Sequence, residues 1–307
     1  MSTKKAPFGS KKHKKNAPSA SRGPYSPSKA GQKPAQGRQN TDRARAPKAH
    51  LKAPANSYFL WGGHALEAAL HNHSRTIKAL YCTNEAQSRL MDMVKKTHPA
   101  RLAALPDIQI VERALLDSVP AEGGKAVHQG MMAAVMPLQN PHLEDYLDDL
   151  PPAQPLRFLM LDQVSDPRNI GAMLRSARAF GVSALIMQDR NAPEETGALA
   201  RTAVGALEEI ALIRVVNLAR ACDALKEAGF HLVGLDMDGD FDSAPAASEE
   251  RLCLIMGSEG KGMRRLTREA CDEIIAIKMA DSSESLNVSV AAAIIMHQTQ
   301  FKADDIA

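Results

Sequence analysis

Short apolar runs alternate with helical patterns along most of the chain, and the first such region extends from Tyr58 to about Met136. Its strand-like runs are residues 77–82, 108–112 and 130–136, and its helical patterns are residues 64–72, 86–96 and 113–118. Runs rich in β-branched and apolar residues that alternate with helical stretches predict a small α/β domain.

A second and longer series of apolar runs begins at Arg157. The strand-like runs are residues 158–161, 184–187, 211–216, 231–235, 252–256 and 274–277, and the main helical patterns are residues 169–180, 196–207, 218–228 and 285–299. Strands that alternate with helices predict a mostly parallel sheet with helices on both faces. In such sheets, ligands usually bind beyond the carboxyl ends of the strands.

The first 54 residues have no hydrophobic periodicity and are rich in Lys, Pro, Ser, Gly and Ala. Such a segment cannot bury enough apolar surface to offset the entropy of ordering, which predicts a disordered tail. Residues 1–52 hold 14 Lys or Arg against one acid, Asp42, so their net charge is +13 and that of the remainder is −10. This charge favours an electrostatic arm for RNA over a solubilising extension, and a mitochondrial transit peptide fits less well.

These patterns set the domain boundaries. We predict a basic tail at residues 1–54, a small α/β domain at 55–137, a proline-rich linker at 138–156 and a sheet domain at 157–307. No apolar run approaches the roughly 18 residues that span a bilayer, so we expect a soluble, cytoplasmic protein without a membrane partner. The four cysteines are scattered in apolar segments, which predicts buried thiols, and no ligand spacing implies a metal.

Three segments of the sheet domain carry polar and glycine residues that packing does not require. They are residues 162–175, 255–263 and 284–293, and they come at or after the ends of predicted strands. Because the carboxyl ends of parallel strands share one edge of a sheet, we expect the three segments to line one crevice. The alternative is that they are merely turns.

The first of these segments contains a predicted helix start followed by arginines. Pro167 stiffens the turn, and Asn169 is placed to cap the first free backbone N–H groups. Capping does not explain Arg175 and Arg178, which lie three residues apart on one helical face. A guanidinium suits phosphate, so one of the two is expected to grip an RNA backbone, and a solvated surface side chain is the alternative, above all for Arg178.

The second segment, Gly257-Ser-Glu-Gly-Lys-Gly, has three glycines in six residues, which permit close approach to a ligand and positive φ angles. It is not a phosphate-binding P-loop, because Gly262 follows Lys261 where that loop requires Ser or Thr. Glu259 has no obvious structural need to be charged, and a solvent-facing turn residue is the alternative.

The third segment places Ser285, Asn287 and Ser289 at the mouth of an apolar, Ala-rich helix. Ser285 or Asn287 could simply cap this helix. Residues 288–296 are apolar enough to pack against the sheet or against a second subunit.

Together, and in this order, the three segments resemble the motifs of the SpoU/TrmH family of RNA ribose 2′-O-methyltransferases. Asn169-x-Gly-x-x-x-Arg175 is similar to the first motif, Gly257-Ser-Glu-Gly-x-Gly to the second and Ser285-Leu-Asn-Val-Ser to the third. The preceding region, with Gly63-His-Ala-Leu-Glu-Ala-Ala-Leu and Val127-His-Gln-Gly, looks like the small L30e-like substrate-binding domain of the branch that modifies bacterial ribosomal RNA. The resemblance covers most of the chain except the tail.

The resemblance implies a C-terminal domain with a trefoil (SPOUT) knot, which binds S-adenosylmethionine in the knot loops and forms a homodimer. By position, the cofactor-binding residues would be Gly257, Ile277, Met279 and Leu286, and the catalytic and RNA-facing residues would be Asn169, Arg175, Glu259, Ser285 and Asn287. Two positions depart from the family's third motif, since Lys278 replaces a proline and Asp281 a glycine. Aspartate tolerates positive φ better than most residues, so we expect altered cofactor affinity rather than lost binding.

The resemblance further implies methylation of a ribose 2′-hydroxyl, with a guanosine of 23S ribosomal RNA as the leading substrate. A transfer RNA methyltransferase is one alternative, and a catalytically silent RNA-binding or ribosome-assembly factor is another. The family picture makes the arginine at the position of Arg175 the base, yet a guanidinium with a pKa above about 12 is almost never neutral. We therefore interpret Arg175 as an orienter of phosphate or hydroxyl, with Glu259 or water as the proton acceptor.

Overall fold

The structure, a computed structural model, describes residues 50–121, 124–152, 154–241, 244–280 and 285–300. Nearly all of the predicted basic tail, and Asp281 of the third motif, lie outside these residues. Among the described residues, no helix combines the length and the apolar character needed to cross a membrane. No group of three or more His, Cys, Asp or Glu side chains in this part of the chain is arranged to hold a metal ion.

The N-terminal part contains a mixed four-stranded sheet, a separate two-stranded sheet formed by its fourth and fifth strands, and short helices. Its elements are β1 (Tyr58–Trp61), α1 (Gly63–His71), β2 (Ile77–Cys82), α2 (Gln87–Lys95), α3 (Pro99–Leu102), β3 (Ile108–Ile110), α4 (Arg113–Leu116), β4 (Pro120–Ala121), β5 (Gly124–Lys125) and β6 (Met131–Val135). The strand order is β1-β6-β2-β3, in which β2 and β3 are parallel and β6 is antiparallel to both of its neighbours. The small α/β fold is therefore confirmed, and β1 is an addition to it.

The predicted linker is not a plain connection, because it contains α5 (Leu143–Asp148). Leu143 is buried, and the ring of Tyr146 lies 5.9 Å from that of Phe158. This helix packs against the large sheet, and its apolar side chains are thereby removed from water.

A six-stranded parallel sheet forms the C-terminal part. Its elements are β7 (Leu156–Leu161), α6 (Pro167–Ala179), β8 (Val182–Gln188), α7 (Gly197–Ala203), β9 (Ala211–Val215), α8 (Leu218–Glu227), β10 (His231–Asp240), α9 (Ala244–Ala247), β11 (Arg251–Met256), α10 (Arg265–Glu269), β12 (Glu273–Ile275) and α11 (Val288–Gln298). The order β12-β10-β11-β7-β8-β9 is parallel throughout, with an apolar core on each face. The predicted parallel, doubly covered sheet is confirmed, although β10 runs five residues further than expected and α11 starts three residues later.

The two sheets are joined by one continuous apolar core. Leu60 and Leu66 of the small sheet region belong to the same buried cluster as Leu159 and Leu199 of the large one. Burial of this surface from both sides opposes free hinge motion between the two regions, because opening the junction would expose it to water.

A buried ion cluster accompanies this shared core. Arg75 lies 2.9 Å from Glu195 through Nη1 and 2.7 Å from Glu208 through Nη2, and all three side chains are almost fully buried. Tyr58 donates to Glu195 as well, over 3.1 Å, and its burial raises the pKa of its hydroxyl, with the nearby carboxylates adding to the shift. Arg75 and Tyr58 come from the small sheet region and both glutamates from the large one, so the cluster crosses the junction.

The cysteine prediction holds for three of the four residues. Cys82, Cys222 and Cys253 are buried free thiols, whereas Cys271 is only partly buried. Burial raises the pKa of Cys222 to about 12 and that of Cys271 to about 11. Both thiols therefore stay protonated at neutral pH, which makes them poor nucleophiles.

Candidate functional site

A cavity of about 590 Å³ lies at the carboxyl edge of the large sheet, beyond the end of β11 and beside the middle of β10. It is lined by Leu235, Asp236, Met237, Met256, Gly257, Ser258, Glu259, Gly260, Lys261, Gly262, Ile277, Met279, Ser285, Leu286, Val288 and Ala291. The second and third polar segments thus meet around one space, as expected from the strand ends. Six of the nine residues predicted for the site line it, namely Gly257, Glu259, Ile277, Met279, Ser285 and Leu286.

The glycine segment forms a closed loop on one side of this cavity. Ser258 N donates to Gly262 O over 3.1 Å, and Gly262 N donates back to Ser258 O over 2.9 Å. A Cβ on Gly257 would lie 2.2 Å from the carbonyl carbon of Gly262, so only glycine allows the strand end and the loop end to approach so closely. The loop tip, with Glu259 and Lys261, is exposed.

A buried carboxylate anchors the loop to the centre of the sheet. Asp162, directly after β7, is fully buried and accepts from Arg264 N over 2.8 Å and from Arg264 Nε over 2.7 Å. Arg264 was not among the predicted site residues. The sequence feature that could have indicated it is Asp162, because a charged residue directly after a buried strand requires a partner.

Two polar groups at this edge have no partner among the described residues. They are Ser258 Oγ and Arg264 Nη2, and both atoms are buried. A buried polar group without a hydrogen-bond partner costs about 1–3 kcal/mol of stability, so such groups are rare in folded proteins. Ser258 lines the cavity, and its hydroxyl is therefore placed to bond a ligand.

The first and third segments meet through a pair of amides. Asn287 caps α11 by accepting from Ser289 N over 2.9 Å, and its Nδ2 donates to Asn169 Oδ1 over 3.2 Å. The prediction that Asn169 caps α6 is wrong. Asp166 takes that role by accepting from Arg168 N over 2.8 Å, because a carboxylate directly before Pro167 reaches the free N–H groups first.

The structure separates the two candidate arginines of α6. Arg178 forms an ion pair with Glu209 over 2.8 Å, with both side chains about half exposed at 49%. Arg175 is exposed and has neither a hydrogen bond nor an ion pair within the described part of the chain. Both side chains are therefore on the surface, and the choice between them for an RNA contact stays a prediction. Neither Asn169, Arg175 nor Asn287 lines the cavity itself.

The parallel sheet, its helices and the cavity at its carboxyl edge define an α/β fold of the SpoU methyltransferase type. One similar solved structure is the SpoU methyltransferase AviRb from Streptomyces viridochromogenes in complex with AdoMet, with a TM-score of 0.64, 22% identity and coverage of 80% of this chain and 89% of that one. Another is an AdoMet-bound rRNA methyltransferase from Sinorhizobium meliloti, with a TM-score of 0.65, 20% identity and coverage of 80% and 87%.

Sequence comparison then identifies the family. The SpoU rRNA Methylase family model matches residues 157–297, and the model for RNA 2′-O ribose methyltransferase substrate binding matches residues 59–141. The 23S rRNA (guanosine-2′-O-)-methyltransferase RlmB of Vibrio vulnificus is 40% identical over 78% of this chain and 95% of its own length. The protein of the same name from Escherichia coli K12 is 38% identical over 79% and 97%. The chain belongs to the SpoU rRNA Methylase family.

Proposed function

We propose that this protein transfers a methyl group from S-adenosylmethionine to the ribose 2′-hydroxyl of a guanosine in 23S ribosomal RNA. The observation that carries the proposal is the meeting of the second and third motifs around one cavity, with the first motif tied to the third by the Asn169 and Asn287 amides. Relatives named for this activity are 36–40% identical over nearly their whole length, which supports the same substrate.

The cavity fits the cofactor in size and in chemistry. Its volume lies within the roughly 300–1,000 Å³ typical of sites for small molecules and cofactors. Apolar side chains such as Met256, Leu286 and Val288 can pack against a flat ring system, and the backbone of the glycine loop and the hydroxyl of Ser258 can bond its polar edges. We assign cofactor binding to Gly257, Ile277, Met279 and Leu286.

When bound, S-adenosylmethionine supplies a methyl group made electrophilic by a positively charged sulfur. The task of the chain is then to orient the ribose hydroxyl and to exclude water from the reacting atoms. Arg175 is exposed and unpaired within the described residues, so its guanidinium is free to grip the phosphate next to that hydroxyl. Glu259 or water accepts the proton, and Ser285 with the Asn169 and Asn287 pair positions the ribose.

We further propose that the chain acts as a homodimer in the cytoplasm. The outer face of α11 carries Val290, which is 47% exposed, and Ile294, which is only partly buried one turn later. An apolar stripe on a helix that already packs against α6 on its other side suits a second copy of the chain. Sedimentation of the Val290→Glu variant should show a shift toward monomer, whereas an unchanged sedimentation coefficient would exclude this face.

The direct test is methyl transfer from radiolabelled S-adenosylmethionine to unmodified 23S ribosomal RNA and to transfer RNA, with cofactor binding measured in parallel by calorimetry. We expect label in ribosomal RNA at a single linkage that resists alkali, because a methylated 2′-oxygen cannot attack its phosphate. Label in transfer RNA alone would show that transfer RNA, and not ribosomal RNA, is the substrate. No label in either RNA, together with no cofactor binding, would favour a silent RNA-binding factor.

A further inference from the structure

A second cavity, of about 500 Å³, lies in the small sheet region and has no role in the chemistry above. It is lined by Thr83, Asn84, Glu85, Ala86, Arg89, Val111, Glu112, Arg113 and Gln129. The parallel strands β2 and β3 end at Cys82 and Ile110, so the lining residues that follow them lie at the carboxyl edge of a parallel pair. This is the edge at which α/β sheets place ligands.

The lining suits a molecule with both a negative charge and hydrogen-bonding edges. Arg89 and Arg113 are exposed guanidinium groups, and Asn84 and Gln129 are exposed amides that can both donate and accept. Helix α2 begins beside the cavity, so the partial positive charge of its N-terminus adds to that of the arginines.

Two carboxylates also line the cavity, and one of them is already engaged. A hydrogen bond from the Thr83 side chain, with smaller contributions from its own backbone and from Arg113, lowers the pKa of Glu85. Glu85 is thus held at Thr83, and Glu112 is exposed at the mouth.

The rim of the cavity is held in a strained conformation. Gln129 has a φ of 52°, in the left-handed region that residues with a side chain seldom adopt, and Arg89 donates to its carbonyl oxygen. The next residue must be glycine, because a Cβ on Gly130 would lie 2.9 Å from both Thr83 Oγ1 and Ala86 Cβ. Backbone strain of this kind persists where the surroundings enforce it, often at ligand sites.

The buried ring of His128 holds this backbone conformation in place through two hydrogen bonds. Gly130 N donates to its Nδ1 over 3.0 Å, so the ring hydrogen is on Nε2, which lies 3.0 Å from Asp117 Oδ1 and donates to it. The amide of Gln129 is therefore presented by a fixed backbone.

The small sheet region packs against the helices next to Arg175. Helix α1 contacts α7, and α7 packs beside α6, the helix that carries Arg175.

We propose that this second cavity holds an unpaired nucleotide of the RNA substrate. The inference rests on the proposed function. Arg89 and Arg113 bind the phosphates on either side, and Asn84 and Gln129 bond the edge of the base. Sequence-specific recognition of RNA relies on such splayed bases in loops, and the lining contains no aromatic ring, so hydrogen bonds rather than stacking select the base.

The test compares Asn84→Ala and Arg113→Ala with Arg220→Ala, a matched control that removes an exposed arginine of α8, far along the chain from the cavity. The RNA is whichever unmodified RNA the wild-type protein methylates. We expect both cavity variants to raise KM for RNA about tenfold, as loss of a base or phosphate contact does, with kcat and cofactor affinity unchanged.

Salt dependence separates the two kinds of contact. Arg113→Ala should reduce the slope of log K against log salt by about 0.7, because one phosphate contact to a single strand is lost, whereas Asn84→Ala should weaken binding without changing the slope. Arg113→Lys should restore the slope, which a merely structural role of the residue would not do.

The two proposals can fail separately. If the wild-type protein methylates no RNA, the proposed function fails and this inference with it. If the wild-type protein is active and both cavity variants stay within about twofold of Arg220→Ala in KM, the nucleotide site alone is wrong.

Discussion

The junction between the two sheets and the cavity at the edge of the large sheet use charged residues in opposite ways. At the junction, all three guanidinium nitrogens of Arg75 donate to Glu195, Glu208 or the carbonyl of Met136, and none is left unpaired. At the cavity, Ser258 Oγ and Arg264 Nη2 are buried without partners in the described part of the chain. The bonds of Arg75 are complete and hold the two sheet regions together, whereas the two atoms at the cavity are free to bond a ligand.

The largest expected effect follows from breaking the completed network. Arg75→Ala leaves two buried carboxylates without their counter-charge and should lower the free energy of unfolding by about 3–5 kcal/mol, measured by urea denaturation. Burial would by itself lower the pKa of Arg75, but its interactions with Glu208, Tyr58 and Glu195 raise it overall, so Arg75 keeps its positive charge at any accessible pH.

The matched control for this change is Arg178→Ala, which removes an arginine from a half-exposed pair with Glu209. Water screens that pair, so the loss should not exceed about 1 kcal/mol. Equal losses in the two variants would contradict the distinction between the junction and the surface.

On the catalytic side, the next largest effect is expected from Arg175→Lys. Lysine keeps the charge but loses the planar fork, so kcat should fall by about 100-fold, in the range of a lost positioning or charge-stabilising contact. Cofactor affinity and unfolding free energy should not change, because Arg175 neither lines the cavity nor pairs with another described residue. Activity near that of the wild type would show that the fork is not needed, and Arg178→Lys supplies the comparison on the same helix.

A smaller effect is expected where the glycine loop closes the cavity. Gly257→Ala places a methyl group 2.2 Å from Gly262, so the loop must shift and cofactor affinity should fall by about tenfold or more, measured by calorimetry. Gly260→Ala is the control within the same loop. Its φ of 81° adds strain but a Cβ there meets no atom within 4 Å, so a loss of affinity as large as that of Gly257→Ala would argue against the steric explanation.

Local patterns predicted the large sheet well but missed elements that depend on tertiary packing. Each of the six strands of that sheet contains a short apolar run between polar segments, which is a local signal. The part of β10 that was not predicted is its polar second half. In contrast, β1 is four residues long and is stabilised by pairing with β6, more than 70 positions along the chain. Helix α5 was not predicted, because its segment is rich in proline and acidic residues and the helix is stabilised by packing against the sheet.

The same limit applies to the site. The loops at the strand ends and their glycines follow from sequence, since each motif is contiguous. The bond from Arg264 to Asp162 joins residues 102 positions apart, and that of Arg75 to Glu208 joins residues 133 apart. Neither pairing has a local signal, and the assignment of the helix cap to Asn169 failed because Asp166 competes for the same N–H groups.

The smallest effect is expected where a paired charge is only partly buried. Burial alone would raise the pKa of Asp272, but the hydrogen bonds from Lys226 and from the Leu232 backbone, together with the charge of Lys226, lower it overall. Because the folded-state pKa lies below the unfolded value of about 3.8, this group stabilises the fold above that pH and loses its contribution as the pH falls through the folded value. Asp272→Asn should therefore cost no more than about 1 kcal/mol at pH 6, since solvent screens the pair, and less at pH 3. Urea unfolding of both proteins at the two pH values measures this, and a cost that grows toward pH 3 would reverse the sign of the argument.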